Sequence, residues 1–363
     1  MGRVVLVTGV AGDLGRRFAR RLAEHPDISR VIGVDVTPPQ LGTGAMQFVR
    51  ADIRNPVIAK VIVREHVDTV VHTAVAASPP AGPGRGSMKE LNVIGTMQLL
   101  AACQQAPELE RLVVRSSTAV YGASNRSPAM FTEDMSAKRL PSTGFPKDVS
   151  EVESYVRGFA RRRPDVSVTT LRLANMMGPL VRSAITSYFK LPVIPTALGF
   201  DPRMQFVHEH DAHGALEQAT LTGIPGTFNV AGSGVMMLSQ AIRRLGKPSV
   251  PMPAFALGAL GSGLRQARVA GLVAEQVPFL TFGRGVDTTA LRDGLGYRPA
   301  YTTEQAFEDF AAAERPGPFN ADRVRAAESA LLGAIAGRGA RTADVLRLAV
   351  GAGDDAAGGA HDG

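Results

Sequence analysis

Thr8-Gly9-Val10-Ala11-Gly12-Asp13-Leu14-Gly15 is a glycine-rich turn of the kind that cradles phosphates. It follows the apolar run Val4-Val5-Leu6-Val7 and leads into Arg16-Arg17-Phe18-Ala19-Arg20-Arg21-Leu22, which reads as a helix. Each glycine has its own task in such a turn. Gly9 makes the bend, Gly12 lets the backbone approach a pyrophosphate, and Gly15 lets helix pack on strand. The helix N-terminus adds unpaired N–H groups and the positive end of a dipole. A second apolar run, Val31-Ile32-Gly33-Val34, ends at Asp35, twenty residues after Gly15. A carboxylate there accepts hydrogen bonds from ribose hydroxyls and repels a 2′-phosphate. No arginine follows within the next several residues, so NAD is expected rather than NADP.

The elements that must position these residues alternate along the chain. Apolar, β-rich runs suggest strands at 3–8, 30–35, 46–49, 68–74, 111–117 and 166–173; helices are expected near 14–25, 56–65, 87–106 and 146–163. That rhythm means an α/β fold, a Rossmann-type doubly wound parallel sheet covered by helices on both faces. Beyond residue 175 the rhythm breaks into proline- and glycine-rich pieces such as Leu191-Pro192-Val193-Ile194-Pro195, and a second lobe built from irregular pieces is expected. Gly226-Thr227-Phe228-Asn229-Val230 reads as one more strand, returning to the main sheet. The expected division is a dinucleotide-binding domain over 1–175 with a return strand near 226–231. A smaller C-terminal substrate lobe over 176–314 is partly interleaved with it, and 315–363 is an appendage. Within the appendage, Asp322 to Ala336 reads as an amphipathic helix, and Gly351 to Gly363 as disordered.

Composition narrows the function classes. The single cysteine, Cys103, excludes an intramolecular disulfide and argues against a cysteine metal cluster; no metal is expected. The charge of +7 comes from arginines scattered along the chain. Only Arg161-Arg162-Arg163 is a cluster, at a helix end where cations suit the dipole, so no nucleic-acid surface is expected. The first strand begins almost at Met1, and no apolar run reaches the roughly 18–20 residues of a membrane span. A cytoplasmic protein is the expectation.

An ordered set of further motifs accompanies the turn: Ala51-Asp52-Ile53-Arg54, His72-Thr73-Ala74, Asn92-Val93-Ile94-Gly95-Thr96, and Ser116-Ser117-Thr118-Ala119-Val120-Tyr121-Gly122. Later come Leu171 to Pro179, Gln205 to Ala212 and Thr227-Phe228-Asn229-Val230. Over roughly residues 2 to 312 the chain resembles the extended short-chain dehydrogenases/reductases, in the NAD-dependent epimerase/dehydratase branch. Within that branch it is similar to actinobacterial proteins labelled UDP-glucose 4-epimerase. The resemblance implies NAD as cofactor, a nucleotide sugar as substrate, and a homodimer through the helices at 87–106 and 146–163. It assigns Gly9, Gly12, Asp13, Leu14 and Gly15 to the pyrophosphate, Asp35 to the adenosine ribose, and Asp52 and Ile53 to the adenine edge. Thr73 and Ala74 would lie along the nicotinamide half with Asn92 beneath, and Asn175 would open the substrate site. Asp13 departs from the family, because a carboxylate repels a pyrophosphate unless it turns away to cap the helix.

A larger departure concerns the chemistry. The family's reaction uses a Tyr-x-x-x-Lys pair on one helix face with a nearby hydroxyl. The cation lowers the tyrosine pKa so that the phenolate takes the substrate's proton. Ser117 matches the hydroxyl position, although a serine there can also simply end a strand. Counting back from Glu153 places Phe145 at the tyrosine position and Val149 at the lysine position. None of the tyrosines at 121, 155, 188, 297 and 301 has a lysine four residues on. Lys147 is the nearest ionisable substitute, with a solvated surface lysine as its plainer reading; Asp148 and His72 are further candidates, each with a structural alternative. Two functions follow. One is an NAD-dependent oxidoreductase of epimerase/dehydratase type with altered acid–base residues. The other is a catalytically inactive NAD-binding sensor or scaffold. A reductase with a lipidic substrate is a third, suggested by the apolar run Pro251 to Leu264.

Overall fold

The computed structural model describes residues 2–40, 42–75, 88–136, 143–253, 256–257 and 276–314. Strand and helix alternate at first: β1 (Arg3–Thr8), α1 (Asp13–Ala23), β2 (Ile28–Asp35), β3 (Gln47–Arg50), α2 (Val57–Arg64) and β4 (Thr69–His72). A π turn over Glu90–Ile94 leads into α3 (Gly95–Gln104). Then come β5 (Arg111–Ser117), a 3-10 turn (Thr118–Tyr121), α4 (Gly144–Arg162) and β6 (Ser167–Leu173). The remainder runs β7 (Asn175–Met177), α5 (Ala184–Lys190), β8 (Ile194–Ala197), β9 (Arg203–Met204), β10 (Phe206–His208), α6 (Glu209–Thr222) and β11 (Gly226–Val230). It closes with β12 (Met236–Met237), α7 (Leu238–Arg244), β13 (Ser249–Met252), α8 (Val277–Phe282), α9 (Thr289–Asp293) and α10 (Thr303–Ala313).

Seven strands form one parallel sheet in the order β11-β6-β5-β4-β1-β2-β3. Its strands are apolar runs rather than alternating ones because helices cover both faces. Val5, Leu6 and Val7 of β1 are fully buried, and every residue of β4 is buried. On α1, Phe18, Ala19 and Leu22 share the buried stripe expected at helical spacing. The return strand pairs with β6 from Gly226↔Thr169 to Val230↔Leu173. Strand order reverses at β1, which has β2 on one side and β4 on the other. Connections therefore leave β1 and β4 in opposite directions and open a crevice at their C-terminal ends.

Three expectations need correction. β4 stops at His72, so Thr73 and Ala74 lie in the loop beyond it. The helix expected over 87–106 is interrupted by the π turn before α3 begins. The chain beyond residue 175 is more regular than its prolines suggested. The segment Leu191 to Pro195 enters β8, which pairs in parallel with β13. Pro195 and Pro251 are tolerated because a two-stranded ribbon leaves N–H positions that need no ladder partner. A separate apolar core gathers Tyr188, Phe189, Phe206, Phe307 and Phe310 around edge-on aromatic contacts. Most of Pro251 to Leu264, with Asp322 to Ala336 and Gly351 to Gly363, lies outside the described residues.

Candidate active site

The glycine turn owes its shape to close contact with the loop after β4. Gly9 has φ +81°, and a Cβ there would lie 2.7 Å from the Ala74 Cα. A Cβ on Gly15 would lie 2.5 Å from Thr73 Oγ1. Thr73 in turn donates to the Thr8 carbonyl at 2.6 Å, so the two loops form one block. Gly12 differs: it is exposed, and a Cβ there would meet only the Gly9 carbonyl, at 3.4 Å. Gly12 is also the N-cap of α1 and supplies no side-chain cap, which leaves the first-turn amides for a ligand. This open cradle fits a dinucleotide pyrophosphate.

Asp13 does not cap the helix, contrary to the escape foreseen for it. Its Oδ1 instead accepts from Arg16 Nη2 at 2.8 Å, so the carboxylate is neutralised by a nearly buried arginine. Leu14 follows in the same turn, half-buried against the sheet core. Asp35 accepts from the Ala11 amide at 2.9 Å and the Val36 amide at 2.7 Å. Burial raises its pKa above the ordinary carboxylate range, against the pull of those amides. Sequence inspection missed Arg50. Pairing of β2 with β3 sets it opposite Asp35, and its Nε donates to the Val36 carbonyl at 3.0 Å. Asp52 is held by a bidentate pair with Arg54, which lowers its pKa. Ile53 is buried against Gly95 at the start of α3.

The other end of the crevice is formed by β4, β5 and the start of α4. His72 is buried, with Nδ1 2.7 Å from Thr8 Oγ1 and Nε2 2.9 Å from Thr96 Oγ1. Burial lowers its pKa to about 4, helped by the charge of Arg115, so it is a neutral strut at pH 7. Ser117 ends β5 and caps the 3-10 turn, accepting from the Ala119 amide at 3.1 Å. Its hydroxyl proton is still available to donate. Beneath it, Glu153 of α4 binds Arg172 through two bonds, Nε–Oε1 at 2.9 Å and Nη2–Oε2 at 2.7 Å, and accepts from Ser116 Oγ at 2.6 Å. Arg172 also donates to Tyr121 Oη at 2.7 Å, and that hydroxyl donates to Asn229 Oδ1 at 2.8 Å. The network clamps β5, β6, α4 and β11 around the serine.

In the first turns of α4 the side chains at the two dyad positions are enclosed. Phe145 is 8% exposed and Val149 0%. Asp148 is buried too, and Asn92 of the π turn donates to its Oδ2 at 3.3 Å. Asn92 is therefore bonded to α4 within the wall. Lys147 faces outward with its side chain 42% exposed, and pairs with Glu151 one turn on at 3.7 Å. Asn175 opens β7, whose partner is β10. The structure thus gathers Gly9, Gly12, Gly15, Asp35, Thr73 and Ala74 into one crevice with Ser117 at the end of the neighbouring strand. It leaves Lys147 at the surface. Among the described residues no cluster of His, Cys, Asp and Glu could hold a metal ion, and no helix is long and apolar enough to cross a membrane.

Comparison with known proteins agrees with this geometry. Residues 5–231 match the model of the NAD dependent epimerase/dehydratase family, and the chain belongs to that family. NAD is the family's cofactor. An uncharacterised protein of Mycobacterium tuberculosis (strain ATCC 25618 / H37Rv) is 49% identical over 336 residues, covering 91% of this chain and 89% of its own. A D-erythronate dehydrogenase of Cupriavidus necator is 27% identical over 181 residues, 45% of this chain and 55% of the enzyme. Among solved structures, MoeE5 in complex with UDP-glucuronic acid and NAD superposes with a TM-score of 0.66 at 21% identity, covering 85% of this chain and 98% of the other. The UDP-glucuronic acid 4-epimerase of Bacillus cereus in complex with NAD gives 0.64 at 19% identity, over 85% and 98%. At these identities the structural likeness is one of fold.

Proposed function

We propose that the protein is an NAD-dependent oxidoreductase of epimerase/dehydratase type that acts on a nucleotide sugar with altered acid–base residues. The observation that carries this reading is the crevice itself, with an uncapped helix N-terminus, an open Gly12, Asp35 at the ribose position and Ser117 on the adjacent strand. Gly12 and the first-turn amides would hold the pyrophosphate, Asp35 the adenosine ribose, and Thr73 and Ala74 the nicotinamide half. NAD supplies a hydride acceptor when bound. Ser117 would donate a hydrogen bond to the substrate hydroxyl or carbonyl, and Asn175 would begin the sugar site. Lys147 is not part of this reading, because its charge is committed to Glu151 in solvent. The lobes are proposed to divide at 175, with 226–231 returning to the first. A homodimer through α3 and α4 is favoured by the exposed Tyr155 on α4.

A second reading has its own support. Phe145 and Val149 offer no proton carrier and lie in a sealed apolar wall, as expected of an NAD-binding sensor or scaffold that performs no hydride chemistry. The test is calorimetric titration with NAD, NADH and NADP, followed by incubation of the NAD-loaded protein with UDP-glucose and UDP-glucuronic acid, read by NMR. Tight NAD binding and sugar conversion support the enzyme. Tight binding without conversion, together with partner capture that depends on NAD oxidation state, would favour the sensor. No binding of any dinucleotide would refute both.

A further inference from the structure

Arg115 lies on β5 two residues before Ser117, and therefore on the same face of that strand. Its Nη1 donates to the Val75 carbonyl, next to Ala74, which packs against the glycine turn. Its Nε is fully enclosed and has no hydrogen-bond partner among the described residues. Among the described residues no carboxylate pairs with it, and burial alone drives its pKa down to about 10. A guanidinium withdrawn from water costs several kcal/mol unless an anion compensates it. The two most buried arginines of the described residues obey that rule: Arg172 has Glu153, and Arg16 has Asp13. His72, the nearby titratable group, is neutral and offers no compensation. Arg284 comes from the second lobe to the turn after Ser117, donating to the Gly122 carbonyl at 2.9 Å and Thr118 Oγ1 at 3.2 Å. It too lacks a carboxylate partner among the described residues. Among the described residues, positive charge without a paired carboxylate therefore converges on the Ser117 turn from Arg115 and Arg284, at the strand ends where open α/β sheets take ligands.

We propose that Arg115 is an anion-binding residue of this crevice, whose guanidinium receives a phosphate oxygen of the bound ligand. The proposal rests on the reading of the crevice given above. Two ligands carry that chemistry, the dinucleotide and the nucleotide sugar. Nε is walled in, so it is the outer Nη donors of the partly exposed guanidinium that would meet the phosphate, with a planar geometry that an ammonium cannot reproduce.

The test compares the full-length protein with Arg115→Met and Arg115→Lys. NADH affinity is read by nucleotide fluorescence, and UDP-glucose and inorganic pyrophosphate affinities by calorimetry, each at low and high salt. Arg115→Met is expected to weaken at least one of the three by tenfold or more and to flatten its salt dependence. Arg115→Lys should lie between Arg115→Met and the parent. Loss confined to NADH identifies the dinucleotide as the source of the phosphate, and loss confined to UDP-glucose identifies the sugar nucleotide. If the parent ignores NADH but loses pyrophosphate binding on Arg115→Met, the dinucleotide reading falls and the anion site stands. The ligand-free melting temperature of Arg115→Met should equal or exceed the parent's, because an uncompensated charge has gone. Affinities within twofold of the parent for all three probes would overturn the proposal. So would a ligand-free variant markedly less stable than the parent, which would make Arg115 a structural residue.

Discussion

Glu153→Gln should destabilise the protein far more than its single-atom change suggests. The carboxylate is 5% exposed and receives two charge-assisted bonds from Arg172, itself 10% exposed, plus the Ser116 hydroxyl. Glutamine keeps the shape but removes the charge, and its amide group must face either a guanidinium N–H or the serine. Removing one partner of a buried pair typically costs about 3–5 kcal/mol, because the surviving ion stays desolvated. At the low end of the usual 2–4 °C per kcal/mol for larger chains, that is a melting-temperature fall of roughly 6–10 °C. Differential scanning calorimetry reads it, with denaturant titration as a second measure. A double variant, Glu153→Gln with Arg172→Met, removes the orphaned cation and should recover part of the loss, giving a coupling energy from the cycle. Tyr121 would lose its Arg172 contact in the double variant, so recovery should be incomplete. A fall below about 1 kcal/mol for Glu153→Gln would refute the reasoning, since an exposed pair would show that value. The clamp would then not be what holds the end of β5 and Ser117 in place.

Further predictions concern the crevice. Gly15→Ala drives a methyl toward Thr73 Oγ1 and the Gly9 carbonyl, and should cost about 1–3 kcal/mol as overpacking while weakening NADH binding at least tenfold; unchanged melting and binding would sink the proposed role of this glycine. Phe145→Tyr with Val149→Lys restores the family's pair. It should raise nucleotide-sugar conversion by about 10²-fold or more if Ser117 is correctly placed. Val149→Lys alone should lower stability by several kcal/mol because the site is sealed, which a thermal melt checks. Acid should also destabilise the fold through His72. Its folded pKa of about 4 lies below the unfolded value of 6.5, so the unfolded chain takes up a proton first as pH falls. Stability is then lost from pH 6.5 down to pH 4 and levels off below, about 2 kcal/mol having gone by pH 5. His213, held at about 4 by burial, acts in the same sense. A pH series of denaturant titrations in His72→Asn should show a shallower acid limb, and an unchanged limb would exclude His72 as a cause.

Much of this molecule is determined locally. A parallel strand buried on both faces is rich in apolar and β-branched residues, so β1, β2, β5 and β6 were legible from runs such as Val4 to Val7. The glycine turn was legible because Gly9 and Gly15 answer constraints from neighbouring backbone, and the return strand because Thr227, Phe228 and Val230 are strand-forming residue types. Position in the family motif located Phe145 and Val149, but their enclosure in a closed wall is a matter of packing between α4 and the sheet. Other features depend wholly on distant pairing. Arg50 stands beside Asp35 only because β3 docks on β2, and Asn92 reaches Asp148 only because the π turn packs against α4. A sequence shows that Arg115 is charged, but not whether any carboxylate reaches it, since partners come from anywhere in the fold. Periodicity and turn chemistry are properties of neighbours in the chain, whereas desolvation and charge compensation are properties of neighbours in space. The sequence therefore specified the sheet and its phosphate-binding turn, and the tertiary structure alone decided which charges in the crevice have a counterion among the described residues.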